Sequence, residues 1–173
     1  MQIGKKNVYI LDTNVFIEAK KTIYPMDIFP VYWDTLKSLA SEGIVCSIDK
    51  VLDEIGRNED TLTQWCKDNL TNSFFKISKT TDCLVNYKEI INWANGINQY
   101  SITARNNFCS IKSADAFLIA YVKSMPSNYI LVTYEKSAMN SKYSIKIPDV
   151  CSAFSLKCID PITMLRDLKV SFK

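Results

Sequence analysis

Short apolar runs alternate along this chain with stretches of helical spacing. Val8–Leu11 is unbroken apolar sequence and predicts a first strand. Over residues 29–41 the apolar positions Tyr32, Leu36 and Leu39 recur at helical intervals, and Gly43 supplies a stop. Residues 44–48 predict a second strand, with Asp49 placed to cap the next helix. Two short helices are expected over 51–55 and 61–70, broken near Gly56, then a third strand over 74–77. Residues 81–93 and 97–108 have helical spacing, with Gly96 between them. Ser113 suits the cap of a helix reaching about Ser124. Residues 129–133 and 155–159 predict the fourth and fifth strands, and Asp160-Pro161 opens a last helix. The polar segment 135–144, rich in Ser, Lys and Asn, is expected to be the least ordered. Strands alternating with helices imply an α/β protein whose parallel sheet carries helices on both faces.

Composition narrows this picture. At 173 residues, with 47% hydrophobic and 23% charged, the chain reads as a single domain over 1–173 with a sizeable core. The net charge of +3 permits a nucleic-acid partner without indicating one. Met1 to Lys6 is too short and polar for a signal peptide, and no apolar run reaches membrane-spanning length. The six cysteines form no C-x-x-C pair, and the expectation is reduced, mostly buried thiols in a cytoplasmic protein.

The chain has no histidine. That excludes a Ser-His-Asp or Cys-His site, His-based zinc sites and imidazole acid–base chemistry. Four glycines leave neither a P-loop nor a dinucleotide fingerprint. Any catalysis must use carboxylates, hydroxyls, amides, lysines or a metal.

In a parallel sheet the strand C-termini share one edge, where the following helices begin. Asp12 ends the first strand, Glu135 follows the fourth, Glu54 lies in the helix after the second, and Asp115 opens the apolar helix after Ser113. Topology alone brings these four acids toward one edge. Each has a plainer reading. Asp12 suits a turn cap, Asp115 a helix N-terminus, Glu54 a solvated helix face with Asp53 as its rival, and Glu135 a loop. Together they are far more specific. Two carboxylates ~4 Å apart repel by about 4 kcal/mol at an effective dielectric of ~20. Such a cluster must bind cations, take up protons or pair with lysines, and all-oxygen ligands point to magnesium or manganese.

Tyr9-Ile10-Leu11-Asp12-Thr13-Asn14, the helix acid Glu54, Ser113-Ala114-Asp115-Ala116 and Thr133-Tyr134-Glu135 resemble, in order, the motifs of the PIN-domain nucleases. The segments 23–30 and 146–151 resemble a poorly described prokaryotic, toxin-like branch of that family. The resemblance covers nearly the whole chain. It implies a three-layer α/β/α sandwich with a central, mostly parallel five-stranded sheet, and cleavage of RNA assisted by one or two Mg2+ or Mn2+ ions. It assigns Asp12, Glu54, Asp115 and Glu135 to metal binding and catalysis. Thr13, Asn14, Ser113 and Thr133 would orient them or the substrate. The family's fourth acid is usually Asp, whereas this chain has Glu135, and Asp149 is its rival; the other reading of Asp149 is a helix cap after Pro148.

Phosphodiester hydrolysis suits such residues, because metal-bound water ionises near neutral pH without histidine. Lys20, Lys21, Arg57, Arg105, Lys112 and Lys136 are candidates to hold distal phosphates, although most suit solvated surface charges. Tyr24, Phe29, Tyr32 and Trp33 either stack bases, meet a partner or cover the core. The reading is an endoribonuclease, the toxin of a toxin–antitoxin pair. Its implied partners are RNA, an antitoxin protein and, as an alternative, a second copy of the chain. The rival readings are a non-catalytic RNA-binding or scaffold domain of the same fold, a structure-specific DNA nuclease, and a metal-dependent phosphatase.

Overall fold

A computed structural model describes residues 6–71 and 73–172, and the expectation placed on Met1 to Lys6 falls almost wholly outside them. Five strands, β1 (Val8–Leu11), β2 (Val45–Ile48), β3 (Phe75–Lys76), β4 (Tyr129–Val132) and β5 (Cys158–Ile159), form one sheet in the order β3-β2-β1-β4-β5. All four pairings are parallel. Helices flank the sheet in a three-layer α/β/α arrangement.

The central strands are apolar throughout because both of their faces are covered. Ile10, Leu11, Leu131 and Val132 are all fully buried. Ser47 of β2 spends its buried hydroxyl on the Leu11 carbonyl at 2.6 Å, which anchors the end of β1. The chain leaves β1 for β2 and β3 on one side, then crosses back to β4 and β5 on the other. Strand order therefore reverses between β1 and β4. At such a switch point the flanking connections diverge and leave a crevice beyond the strand C-termini.

Several local expectations are corrected. A helix α1 (Thr13–Glu18) follows β1 directly and runs on into a π-helical turn (Ala19–Ile23). Its only apolar run, Val15-Phe16-Ile17, follows the polar Asp12-Thr13-Asn14 and is too short to display a helical period. The helix over the sheet is α2 (Pro30–Ser41), with Pro30 in its first turn. Asp49 does not cap α3 (Asp49–Ile55). It is the first helical residue, and its carboxylate accepts from Lys50 N and Ser78 N. After a short 3-10 turn, α4 (Thr61–Asn69) begins at the capping carboxylate of Asp60.

The two helices expected on either side of Gly96 are present with shifted bounds: α5 (Thr81–Gly96) takes Gly96 as its last residue, and α6 (Ile102–Phe108) starts later, behind the Ser101 hydroxyl cap. The helix α7 (Asp115–Ser124) packs against α5 and is buried nearly all round. The segment 135–144 has no regular structure, but Gln99 Nε2 donates to the carbonyls of Met139 and Ser141, and Ser101 N donates to that of Lys142. A further helix, α8 (Ile147–Ala153), precedes a fifth strand shorter than expected. The last helix is α9 (Pro161–Asp167), capped by Asp160 as the sequence indicates. Four cysteines are buried and two half-buried, all as free thiols. Among the described residues no helix is long and apolar enough to cross a membrane.

Candidate active site

Asp12 stands at the N-terminus of α1, at the crevice between β1 and β4. Its backbone is extended, and its N–H still belongs to the sheet, donating to the Val132 carbonyl at 3.0 Å. One carboxylate oxygen accepts from Thr13 N at 2.7 Å and the other from the Thr133 hydroxyl at 2.8 Å. Thr133 immediately follows β4, so one side-chain hydrogen bond joins the two central strands at the crevice. Asn14 reinforces that join: its amide donates to Thr133 Oγ1 at 2.9 Å, and its carbonyl accepts from Tyr134 N at 2.9 Å. Thr13 and Thr133 are themselves buried.

Asp12 is only 3% exposed. Burial pushes its carboxyl up to about 8, and the charges of Asp115 and Glu135 add to the rise against the two hydrogen bonds. Asp115, in the first turn of α7, is pushed up to about 7 by burial and then by Glu135 and Glu54, with Lys146 opposing. Asp12, Asp115 and Glu135 therefore share one electrostatic neighbourhood, to which Glu54 connects through Asp115.

Glu54 is held on both oxygens. It accepts from Thr13 Oγ1 and, at 2.8 Å, from Ala114 N, and so caps the entry to α7. This corrects the role expected of Ser113. The α7 N-cap is Ala114 and has no side-chain cap, while the Ser113 hydroxyl accepts from Asp115 N at 3.4 Å. Asp53, the neighbour of Glu54, is exposed. Glu135 is also held twice, by Lys146 Nζ at 2.9 Å and Ile147 N at 2.8 Å. Asp149 is bound elsewhere, to the Ser137 hydroxyl and to Ala138 N at 3.0 Å, and these bonds tie the irregular segment to α8. The Asp149 carboxylate thus serves its own loop, while Glu135 raises both Asp12 and Asp115.

Lys146 is the site residue that the sequence did not single out. It lies eleven positions beyond Glu135, and only the folding back of 135–146 makes it that carboxylate's counter-ion. Of the expected phosphate-binding cations, Lys20 pairs with Asp60 and Arg57 donates to the Lys112 carbonyl. Tyr32 and Trp33 are buried. Tyr24 stacks on Tyr32 at 4.2 Å between ring centres, and Trp33 Nε1 donates to the Tyr24 carbonyl. Those rings pack the core, leaving Ile28, Phe29 and Val31 exposed.

Among the described residues, no three acids or thiols close on one point as a finished metal cage does. The carboxylates of Asp12, Glu54 and Glu135 turn instead to hydroxyl, amide and ammonium donors. As a donor set the four acids still suit a hard divalent cation, being all-oxygen and acidic, with Asp12 buried and the others half-buried.

The fold and this acidic centre define a parallel α/β protein with one buried and three half-buried carboxylates around its strand-order reversal. The family described as a domain of unknown function (DUF4411) matches residues 9–172, and the chain belongs to that family. No curated protein and no solved structure matches the chain.

Proposed function

We propose that the chain is a PIN-like endoribonuclease that cleaves RNA phosphodiester bonds with Mg2+ or Mn2+, acting as the toxin of a toxin–antitoxin pair. The observation that supports it most is the shared neighbourhood of Asp12 and Asp115. They are contributed by separate segments, stand at the strand switch point, and are raised by burial and by one another's neighbours. A structural role does not call for that cost. Like charges held out of water are worth retaining where they act.

In this reading Asp12, Asp115 and Glu135 would hold the ion, with Glu54 beside them. A bound magnesium or manganese ion supplies a water of lowered pKa and positive charge opposite the phosphate. The protein's own residues do the rest. Thr133 and Thr13 fix the rotamer of Asp12, and Asn14 fixes Thr133. Glu54 holds the N-terminal turn of α7 through Ala114, and so positions Asp115. Lys146 pairs with Glu135 and holds it in place beside the other acids.

Purified protein should cut RNA with manganese and stop on EDTA, and Asp12→Asn should remain folded and inactive. One observation favours a second reading. Glu54 and Glu135 are already satisfied by protein donors, as they would be in a non-catalytic RNA-binding domain of this fold. RNA binding that is indifferent to manganese, with no cleavage, would establish that reading instead.

A further inference from the structure

A cleft of about 200 Å3 opens beside the acids, between α6 and the segment that returns to α8. Asp115 and Glu135 line it together with Lys146, which pairs with Glu135, and so do Asn107, the buried Phe108, and Tyr143. We propose that this cleft seats one unpaired nucleotide of an RNA strand, its base against Tyr143 and its phosphate toward Lys146. The proposal rests on the ribonuclease reading and names where the substrate strand lies.

Three observations carry it. Tyr143 is 84% exposed, and among the described residues its ring pairs with no other aromatic ring. The backbone beneath it is nonetheless anchored. Tyr143 N and Ser144 N both donate to Ser141 Oγ, Gln99 holds the Ser141 carbonyl at 2.9 Å, and Ser101 N holds the Lys142 carbonyl at 2.8 Å. A flat ring on a tethered backbone can stack a base at little further ordering cost. The cleft is also chemically mixed. Its lining combines charged groups, with Lys146 the one cation among them, with the aromatic Phe108 and Tyr143 and the Asn107 amide. Among the described residues the exposed Asn107 amide makes no side-chain hydrogen bond, so its donor and acceptor are free for a base edge. Finally, the space takes a single base with its sugar but not a double helix. Unpaired bases stacked on aromatic rings are the usual way proteins read RNA.

The test is binding of a ten-nucleotide single-stranded RNA carrying one 2-aminopurine, with calcium replacing manganese, followed by anisotropy and by 2-aminopurine quenching. Tyr143→Ala should bind on the order of tenfold more weakly and lose the quenching. Tyr143→Phe should keep both, and Asn107→Ala should weaken binding with the quenching retained. Thermal melts and manganese stabilisation should match wild type in all three variants. A duplex of the same sequence should bind no better than single strands bind Tyr143→Ala. Unchanged binding and quenching by Tyr143→Ala, while wild type still cuts RNA through Asp12, would overturn the cleft assignment alone. Wild type that neither binds nor cuts RNA would overturn the ribonuclease reading and this inference with it.

Discussion

Asp115→Asn should stabilise the metal-free protein, which is unusual for a substitution in a buried helix turn. Asp115 rises from 3.8 to about 7 through burial and the charges of Glu135 and Glu54. At 1.36 kcal/mol per pH unit, that gap corresponds to roughly 4 kcal/mol of destabilisation once the carboxyl is ionised. The residue is only half-buried by accessible surface, so water and counter-ions screen part of this, and about 2 kcal/mol is the working figure. Against it stands the helix-end attraction of a first-turn carboxylate, roughly 0.3–1 kcal/mol.

The sign comes from the raised value. Below about pH 4 the carboxyl is protonated in both the folded and unfolded protein, and wild type carries no penalty. As pH climbs toward 7 the unfolded chain ionises first, and wild type loses stability until the folded carboxyl has ionised as well. The advantage of Asp115→Asn should therefore be small near pH 4 and nearly complete at pH 8. In EDTA at pH 8 the net gain of about 1–1.7 kcal/mol should make the mutant melt about 2–7 °C higher than wild type, for a chain of this size. Manganese at a hundred times its Kd should stabilise wild type by about 2.7 kcal/mol and the mutant by much less. Urea or thermal denaturation at pH 4 and pH 8, with EDTA or manganese, measures all four states. A mutant less stable than wild type at pH 8, with its manganese response undiminished, would leave Asp115 a helix-end residue with no part in metal binding.

The same geometry has other measurable outcomes. Because Asp12 is raised to about 8 and Asp115 to about 7, ions must displace protons, so manganese binding should release protons and strengthen from pH 6 to 9; calorimetry in buffers of differing ionisation enthalpy reads this directly. Asn14→Ala removes the donor to Thr133 and the acceptor of Tyr134 N, and should cost about 1–3 kcal/mol by urea titration while lowering kcat more than it raises KM. Glu135→Gln should reduce metal-supported cleavage more than Asp149→Asn, which should instead lower the melting temperature by loosening Ser137 and Ala138; the reverse ranking, with both variants folded, would move the fourth acid to Asp149. Expressed alone in a bacterial host the wild type should slow growth and Asp12→Asn should not, and co-expression of an antitoxin-like neighbouring protein should relieve the effect.

The alternation of apolar runs with helical spacing was enough to determine the five strands, their parallel class and the edge at which Asp12, Asp115 and Glu135 gather. Those features depend on local period and chain order, which a sequence carries openly. Helix α1 stayed hidden because it is only six residues long, and its three consecutive apolar residues, Val15, Phe16 and Ile17, are too few to show a helical period. Which donor each acid meets was also beyond the sequence. Thr133 reaches Asp12 across 121 positions, Ala114 reaches Glu54 across 60, and Lys146 reaches Glu135 only because the 135–144 segment is pinned back by Asp149 and Gln99. The composition of that segment reads as disorder, since its polar groups would be solvated in an isolated chain. Tertiary contacts supply them with partners instead, and so decide both the counter-charge of the site and the cleft beside it.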